Sequence, residues 1–164
     1  MTITHAPWTT APVPPEHPDA ARLLYDYFEE MVVRYHRRPT HPDEVAAAMA
    51  ESPSDDLVAP SGMLLLATYG GRPAGWAELT RVYVRPALRG HGGGAALLAA
   101  AEERARAAGA DRIRLDTRSD LVEARALYAR HGYREIPAYS HDKYAEHWFE
   151  RLLGSGVDED ARAR

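Results

Sequence analysis

The segment from Leu79 to Gly109, LTRVYVRPALRGHGGGAALLAAAEERARAAG, decides how this chain folds. At its start, apolar Val82 and Val84 alternate with Arg81 and a tyrosine, a period-two pattern that predicts a strand. Pro86 ends that strand because it has no N–H to donate to a ladder. Four glycines follow within residues 90–94, and the alanine- and leucine-rich run behind them predicts a helix that stops at the terminal glycine.

This order of strand, glycine turn and helix predicts an anion site. The first four N–H groups of a helix have no partner within the helix and lie at the positive end of its dipole. Glycine lets an anion approach them without meeting a Cβ, so the expected ligand is a phosphate or pyrophosphate. A Walker-type loop is excluded because no Lys-Ser/Thr pair follows the glycines. Asp111 or Asp116 has about the spacing of a dinucleotide fingerprint, but no βαβ repeat precedes the glycines.

The motif Arg89-x-x-Gly92-x-Gly94 resembles the R/Q-x-x-G-x-G/A pyrophosphate signature of the GNAT N-acetyltransferases. The run-in VYVRP, the helix start AALL and the later segment ARALYARHGY, residues 124–133, resemble the same family, over roughly residues 78–153 in all. The resemblance implies an α/β (α+β) fold with a mixed, largely antiparallel central sheet flanked by helices. It also implies transfer of an acetyl group from the co-substrate acetyl-CoA to a primary amine of a small molecule or peptide, by direct attack in a ternary complex.

The resemblance implies a role for two residues in catalysis. Glu78, before the central strand, is the expected base, acting directly or through water, and its alternative is a glutamate that faces solvent. Tyr128, at the tyrosine of the A-x-x-L-Y pattern, is the expected acid for the departing sulfur, and its alternative is a core tyrosine. A base matters because a primary amine with a pKa near 10.4 is only about 0.04% neutral at pH 7, equivalent to roughly 4.6 kcal/mol of barrier.

Cofactor contacts implied by the resemblance lie on the same segment. They are the backbone of Val82, Tyr83 and Val84 for the pantetheine arm, and Arg89, Gly90, His91, Gly92, Gly93, Gly94 and Ala95 for the pyrophosphate. The favoured alternative for His91 is an exposed loop histidine that donates to no phosphate. Gly93 replaces a large aliphatic residue of the family, which predicts a lost core contact, and Leu121 replaces a polar asparagine.

Two amphipathic segments before the glycine loop, residues 20–37 and a helix beginning after Pro42, predict a helical pair. The resemblance implies that this pair forms one wall of the acceptor site. Tyr25, Phe28 and Tyr139 are the predicted substrate-binding residues, and ordinary core packing is their alternative.

The strands before the glycine loop are short of residues. Met63 to Thr68 predicts a buried strand that ends at a Gly-Gly turn, and only residues 72–84 remain for the next two strands and their turn. Either one strand is very short, or a single strand from about Ala74 to Val84 replaces both. The sequence therefore predicts a shortened or missing strand before the central strand.

The chain is expected to form one domain over residues 19–153. Residues 1–18 form a proline-rich lead-in with a possible strand near Ile3, and residues 154–164 form a polar tail that is predicted to be disordered. The sequence contains no cysteine, its net charge is −4, and its histidines lack metal-ligand spacing, so we expect neither a metal site nor a nucleic-acid partner. No apolar run has the length of a membrane span, so we expect a cytoplasmic protein that does not bind a membrane. The sequence leaves a monomer and a homodimer as alternatives.

Three functions fit these observations. The first is the N-acetyltransferase; the second is a non-catalytic acyl-CoA-binding or sensor relative of the same fold, which the shortage of strand residues favours. The third is an unrelated nucleotide-phosphate binder, for which ATP and NAD would bind better than coenzyme A.

Overall fold

A computed structural model describes residues 8–54, 63–77 and 81–154 of the chain. Within these ranges the polypeptide forms strands and helices in alternating blocks, with a short 3₁₀ turn between the fourth strand and the third helix. The strands are β1 (Trp8–Pro12), β2 (Leu65–Tyr69), β3 (Arg72–Ala77), β4 (Val82–Val84), β5 (Arg112–Thr117), β6 (Arg134–Ile136) and β7 (His147–Leu152). The helices are α1 (Pro18–His36), α2 (Pro42–Glu51), α3 (Gly93–Ala107) and α4 (Val122–Arg130).

The strands described here belong to two antiparallel sheets. The first sheet has the order β1-β2-β3-β4 and the second has the order β5-β7-β6. Helices α1 and α2 precede the first hairpin, and α3 connects the two sheets. The predicted fold class, a mixed α/β fold with a largely antiparallel sheet and flanking helices, is confirmed.

Strand β1 lies in the segment where the sequence predicted only an extended lead-in. It pairs with β2 over its whole length, from Trp8 opposite Tyr69 to Pro12 opposite Leu65. An edge position explains how the strand tolerates its proline, because an edge strand has one side without ladder bonds. The strand predicted near Ile3 lies outside the described residues.

The shortage of strand residues is resolved by two strands, of which β4 has three residues. Their register places Ala77 opposite Val82 and Gly75 opposite Val84, and residues 78–80 between them lie outside the described ranges. The alternative of one long strand is therefore wrong, and the prediction of a shortened strand is confirmed. Since Arg85 continues the ladder by donating its N–H to the Ala74 carbonyl at 2.8 Å, the first sheet extends up to the glycine loop.

Helix α3 holds the two sheets together through neighbouring residues that face different cores. Leu97 packs with Leu65 and Val84 of the first sheet, whereas Leu98 packs with the second-sheet core. Val82 contacts both clusters, so the start of β4 lies where the two sheets meet. The position of the glycine loop is thereby fixed relative to both sheets.

Helix α1 covers the first sheet with an apolar face. Leu23 and Leu24 pack with Leu66 and with the ring of Tyr83. Proline in the first turn and a left-handed Arg37 at the C-cap set its ends. In the described ranges, no helix combines the length and the apolar character that a bilayer crossing requires.

Candidate cofactor loop and acceptor cavity

The glycine loop has an open conformation that other residues would not adopt easily. Gly90 and Gly92 have φ angles of +80° and +86°, in the left-handed region. A Cβ built on either residue would meet no heavy atom within 4 Å, so this side of the loop is clear. Both features leave room for a ligand against the backbone.

The first turn of α3 offers unpaired N–H groups at that opening. Gly92 is the N-cap residue and no side chain caps the helix in the described structure. The N–H of Ala96 is the first to bond within the helix, to the Gly92 carbonyl at 3.0 Å. The amides of Gly93, Gly94 and Ala95 precede it and point out of the helix end. These donors and the positive end of the helix dipole suit an anion.

The indole of Trp8 fills the space beside Gly93. A Cβ on Gly93 would lie 2.5 Å from Cη2 of Trp8, and the indole Nε1 donates to the His91 carbonyl at 2.7 Å. The ring of Tyr69 packs against the indole with centroids 5.0 Å apart. The core contact predicted to be lost at Gly93 is therefore supplied by β1. No local pattern predicts this contact, because the two residues are 85 positions apart.

Arg89 joins the loop to α1. Its Nε donates to the Val84 carbonyl at 2.9 Å, and its two terminal nitrogens donate to the Glu30 carboxylate at 2.8 and 3.1 Å. Arg34, one turn further along α1, also pairs with Glu30 at 2.8 Å. The guanidinium thus holds the loop against α1, and it also donates a hydrogen bond to the carbonyl of Val84, the last residue of β4. The predicted contact of Arg89 with a pyrophosphate stays a prediction.

His91 lies on the exposed side of the loop. Its Nδ1 is 3.0 Å from the Arg89 carbonyl, and its ring centroid is 5.9 Å from that of Tyr69. The side chain therefore contacts the backbone of its own turn, and the contact predicted between His91 and a phosphate stays a prediction.

One edge of β4 is open to an extended ligand. Because Arg85 bonds to Ala74, alternation of the antiparallel ladder directs the N–H and C=O of Tyr83 toward β3. The same groups of Val82 and Val84 face the other way, where no described strand pairs with β4. With the Val84 carbonyl bound by Arg89, three backbone groups remain on this edge. Of the three residues predicted to contact a pantetheine arm through their backbone, Val82 and Val84 have groups on this open edge, whereas the groups of Tyr83 face β3.

A cavity of about 580 Å³ lies between α1, α2 and the second sheet. Val82 and Tyr128 form part of its wall, which connects it to the open strand edge. Of the predicted acceptor residues, all of them described, Phe28 lines this cavity whereas Tyr25 and Tyr139 do not. Its other walls carry aromatic and charged side chains, namely Tyr27, Tyr35, Tyr144, Arg81, Arg118, Glu44, Glu51, Asp116 and Asp142.

The predicted acid, Tyr128, lies in the wall of the cavity with only 3% of its surface exposed. Its ring packs on Tyr133 and Phe149 with centroids 5.7 and 5.8 Å apart. Burial raises its pKa above the ordinary tyrosine value, and Tyr27 and Asp116 add to the increase. The hydroxyl is therefore protonated at neutral pH. The predicted base, Glu78, lies outside the described residues.

Asp116 is one of several cavity residues that the sequence analysis did not assign to an acceptor site. It is half-buried, and burial raises the pKa of its carboxyl, with Asp142 as a second cause. Alternation along β5 places Ile113 and Leu115 in the core and Asp116 on the opposite face. That period-two pattern was the available signal, but the strand pattern alone does not say that the opposite face borders a cavity. In the described part of the chain, no group of three or more histidine, cysteine or acidic residues is placed to hold a metal ion.

The fold and the loop define an α/β protein whose third helix begins, without a side-chain cap, at an open glycine loop. Residues 8–133 match the model of the acetyltransferase (GNAT) family, and the chain belongs to that family. An uncharacterized N-acetyltransferase of Bacillus subtilis strain 168, YvbK, is 31% identical over 80 residues. This match covers 49% of the present chain and 51% of YvbK, so it spans about half the length of that relative.

Solved structures of the same fold agree with the family. A GNAT-family acetyltransferase from Staphylococcus aureus Mu50 superposes with a TM-score of 0.69 at 16% identity, over 90% of this chain and 100% of the other. The yncA protein of Salmonella typhimurium, solved with its cofactor acetyl-CoA, gives a TM-score of 0.58 at 17% identity, over 94% of this chain and 98% of the other. At such low sequence identities, these superpositions establish a shared fold.

Proposed function

We propose that this chain is an acetyl-CoA-dependent N-acetyltransferase that acts on a primary amine of a small molecule or peptide within a ternary complex. The observation that carries the proposal is the uncapped first turn of α3 behind Gly90 and Gly92, open to solvent and next to an unpaired strand edge. Membership of the acetyltransferase family supports it, as does a neighbour of the same fold solved with acetyl-CoA.

The residues present fit that co-substrate. A diphosphate has the charge and size for the amides of Gly92, Gly93, Gly94 and Ala95, where a Cβ at Gly92 would point into the space required. The outward backbone groups of β4 suit an arm that carries amides, because such an arm pairs as a strand does. When bound there, acetyl-CoA supplies the acetyl thioester.

Two side chains manage protons in this proposal. Glu78 accepts the proton of the acceptor ammonium, directly or through water, and lowers a barrier that would otherwise be several kcal/mol. Tyr128 donates its hydroxyl proton to the leaving sulfur, for which a buried and protonated phenol is suited. The role of Glu78 rests on the resemblance, and that of Tyr128 rests on the resemblance and on its place in the cavity wall.

The test is release of free thiol from acetyl-CoA, measured over a panel of primary amines. We expect at least one amine to be acetylated, and Gly92→Glu to abolish the reaction by placing a carboxylate against the diphosphate. Gly109→Glu is the matched control, since Gly109 has φ of +84°, has no neighbour within 4 Å of its Cβ, and lies at the other end of α3. The control variant should retain activity.

Two results contradict the proposal. Coenzyme A binding without turnover for any amine would favour the non-catalytic acyl-CoA-binding relative. Binding of ATP or NAD in preference to coenzyme A would favour a nucleotide-phosphate binder.

A further inference from the structure

Among the described residues, the acceptor cavity is lined by four carboxylates and by two guanidinium groups, those of Arg81 and Arg118. Arg118 is already neutralised, because Asp120 accepts from its Nε at 2.9 Å and from its terminal nitrogen at 2.7 Å. The charged lining is therefore acidic in balance and disfavours an anionic acceptor.

Three of the four carboxylates have partners of their own. Glu44 accepts two hydrogen bonds from Arg38 as well as one from Thr40 at 2.7 Å, which ties it to the start of α2. Glu51 accepts from the hydroxyl of Tyr144 at 3.1 Å. Asp142 accepts the backbone N–H of the same tyrosine at 3.0 Å. These carboxylates hold the walls in place.

The fourth carboxylate, Asp116, has no hydrogen bond and no ion pair with any described residue. The electrostatic neighbours of Asp116 are Asp142, which raises the pKa of Asp116, and the phenols of Tyr128 and Tyr139, whose pKa values Asp116 raises. A half-buried carboxylate with such neighbours lacks the cation that would offset its desolvation.

A second polar group borders the same space without a partner. Tyr128 is more than nine-tenths buried, lines the cavity, and has no hydrogen bond from its hydroxyl to a described residue. Its pKa is raised in part by Asp116, so the two groups are electrostatic neighbours. Among the described residues, the fully buried side-chain atoms without a partner are Arg85 Nε and Arg125 Nε, so the Tyr128 hydroxyl is open to the cavity, where a ligand or a water molecule can bind it.

The opposite wall, on α1, is aromatic. Tyr27 and Phe28 meet edge to face, with centroids 5.2 Å apart. The guanidinium of Arg81 lies 5.4 Å from the Phe28 ring and 5.9 Å from the Tyr27 ring, so cationic contact with these rings is already supplied by the protein. Phe28 is only 6% exposed, so the packing area that this wall offers to a ligand lies on Tyr27 and the neighbouring Met31, and the place for a ligand cation is the Asp116 carboxylate.

We propose that Asp116 binds the ammonium group of a compact monocationic arylalkylamine, whose apolar body packs against Tyr27 and Met31. This inference rests on the proposed function for the identity of the site and names the class of acceptor. A cavity of about 580 Å³ that also borders the strand edge has room for one small ring and a short amine arm. An ion pair shielded from solvent gives the specificity for a charged amine over a neutral analogue.

The experiment is calorimetric titration with 2-phenylethylamine as the probe, with and without coenzyme A. We expect saturable binding to the natural protein, at least tenfold weaker binding to Asp116→Asn, and unchanged binding to Asp111→Asn. Asp111 is the matched control because it lies directly before the same strand with its side chain 81% exposed. The neutral analogue 2-phenylethanol should bind more weakly than the amine and should be insensitive to Asp116→Asn.

Equal affinity of the amine for the natural protein and Asp116→Asn overturns the inference, as does phenylethanol binding as tightly as the amine or an absence of amine binding. Coenzyme A titrated alone into each variant reports separately on the proposed function and on folding. If coenzyme A binds and the amine result fails, the acceptor class is wrong and the acetyltransferase proposal stands. If coenzyme A does not bind to the natural protein, the acetyltransferase proposal fails, while the amine titration still decides the role of Asp116.

Discussion

Substitution of Gly93 by alanine tests the packing behind the glycine loop. In a helix this change ordinarily stabilises a protein by up to about 1 kcal/mol, since glycine has the greater backbone freedom when unfolded. Here the new methyl group would lie 2.5 Å from Cη2 and 2.6 Å from Cζ2 of Trp8. The indole cannot retreat freely because it donates to the His91 carbonyl at 2.7 Å and packs on Tyr69.

The magnitude follows from two opposing contributions. Overpacking of a well-ordered site costs typically 1–3 kcal/mol, against a helix gain of at most about 1 kcal/mol. We therefore expect Gly93→Ala to lower the free energy of unfolding by about 1–2 kcal/mol. In a Trp8→Ala background the clash is absent, so the same substitution should raise the free energy by about 0.5–1 kcal/mol. The predicted coupling between the two sites is about 2 kcal/mol.

Urea unfolding of the natural protein, both single variants and the double variant gives this coupling directly, provided that the m-values agree. Gly94→Ala is a useful comparison, since its Cβ would meet the tip of Leu127 at 2.8 Å, and a leucine can rotate away. We expect that change to cost less than 1 kcal/mol. A Gly93→Ala protein that is more stable than the natural one, or a Gly93→Ala effect of the same size with Trp8 and in the Trp8→Ala background, would refute the packing described here.

Three further predictions concern charged and titrating side chains. Glu102→Gln should lower the free energy of unfolding by about 2–4 kcal/mol in a urea titration, because Arg151 donates to both oxygens of this buried carboxylate, whereas exposed Glu103→Gln should change it by less than about 0.5 kcal/mol. Burial raises the pKa of Asp116, so the folded state loses stability as the pH rises through that pKa. Asp116→Asn should therefore raise the free energy of unfolding at pH 7 by up to about 1 kcal/mol. The difference in this free energy between the two proteins should vanish near pH 3. Burial also raises the pKa of Tyr83 to about 12, with nearby carboxylates adding to it, so unfolding above pH 10 should be less steep in pH for Tyr83→Phe than for the natural protein.

The sequence predicted most of what is local in the site. The alternation before Pro86 and the glycines after it specified the strand, the turn and the start of α3, because each of these depends on neighbouring residues. Counting the residues available between positions 72 and 84 correctly predicted a shortened strand. The count did not distinguish two strands from one, since that choice depends on how the chain pairs with β2.

Contacts between distant parts of the chain were not predictable in this way. The proline-rich segment that contains Trp8 resembled an unpaired lead-in, and its strand exists because β2 offers an edge to pair with. The contact of the Arg89 guanidinium with Glu30, which lies 59 residues away, had no local signal, and the phosphate contact of Arg89 stays a prediction. The alternation along β5 placed Asp116 on the exposed face of that strand. The cavity beside it arises only when α1 and α2 pack near β5.

The most direct test of the account is calorimetric titration of coenzyme A into three proteins: the natural chain, Gly92→Glu and Gly109→Glu. Both glycines have positive φ and open surroundings, so the two variants share the same backbone strain and added charge at opposite ends of α3. If the α3 N-terminus binds the diphosphate, affinity should fall at least a hundredfold in Gly92→Glu and stay within threefold of the natural value in Gly109→Glu. Equal affinity in all three proteins, or no binding to the natural chain, would contradict the account.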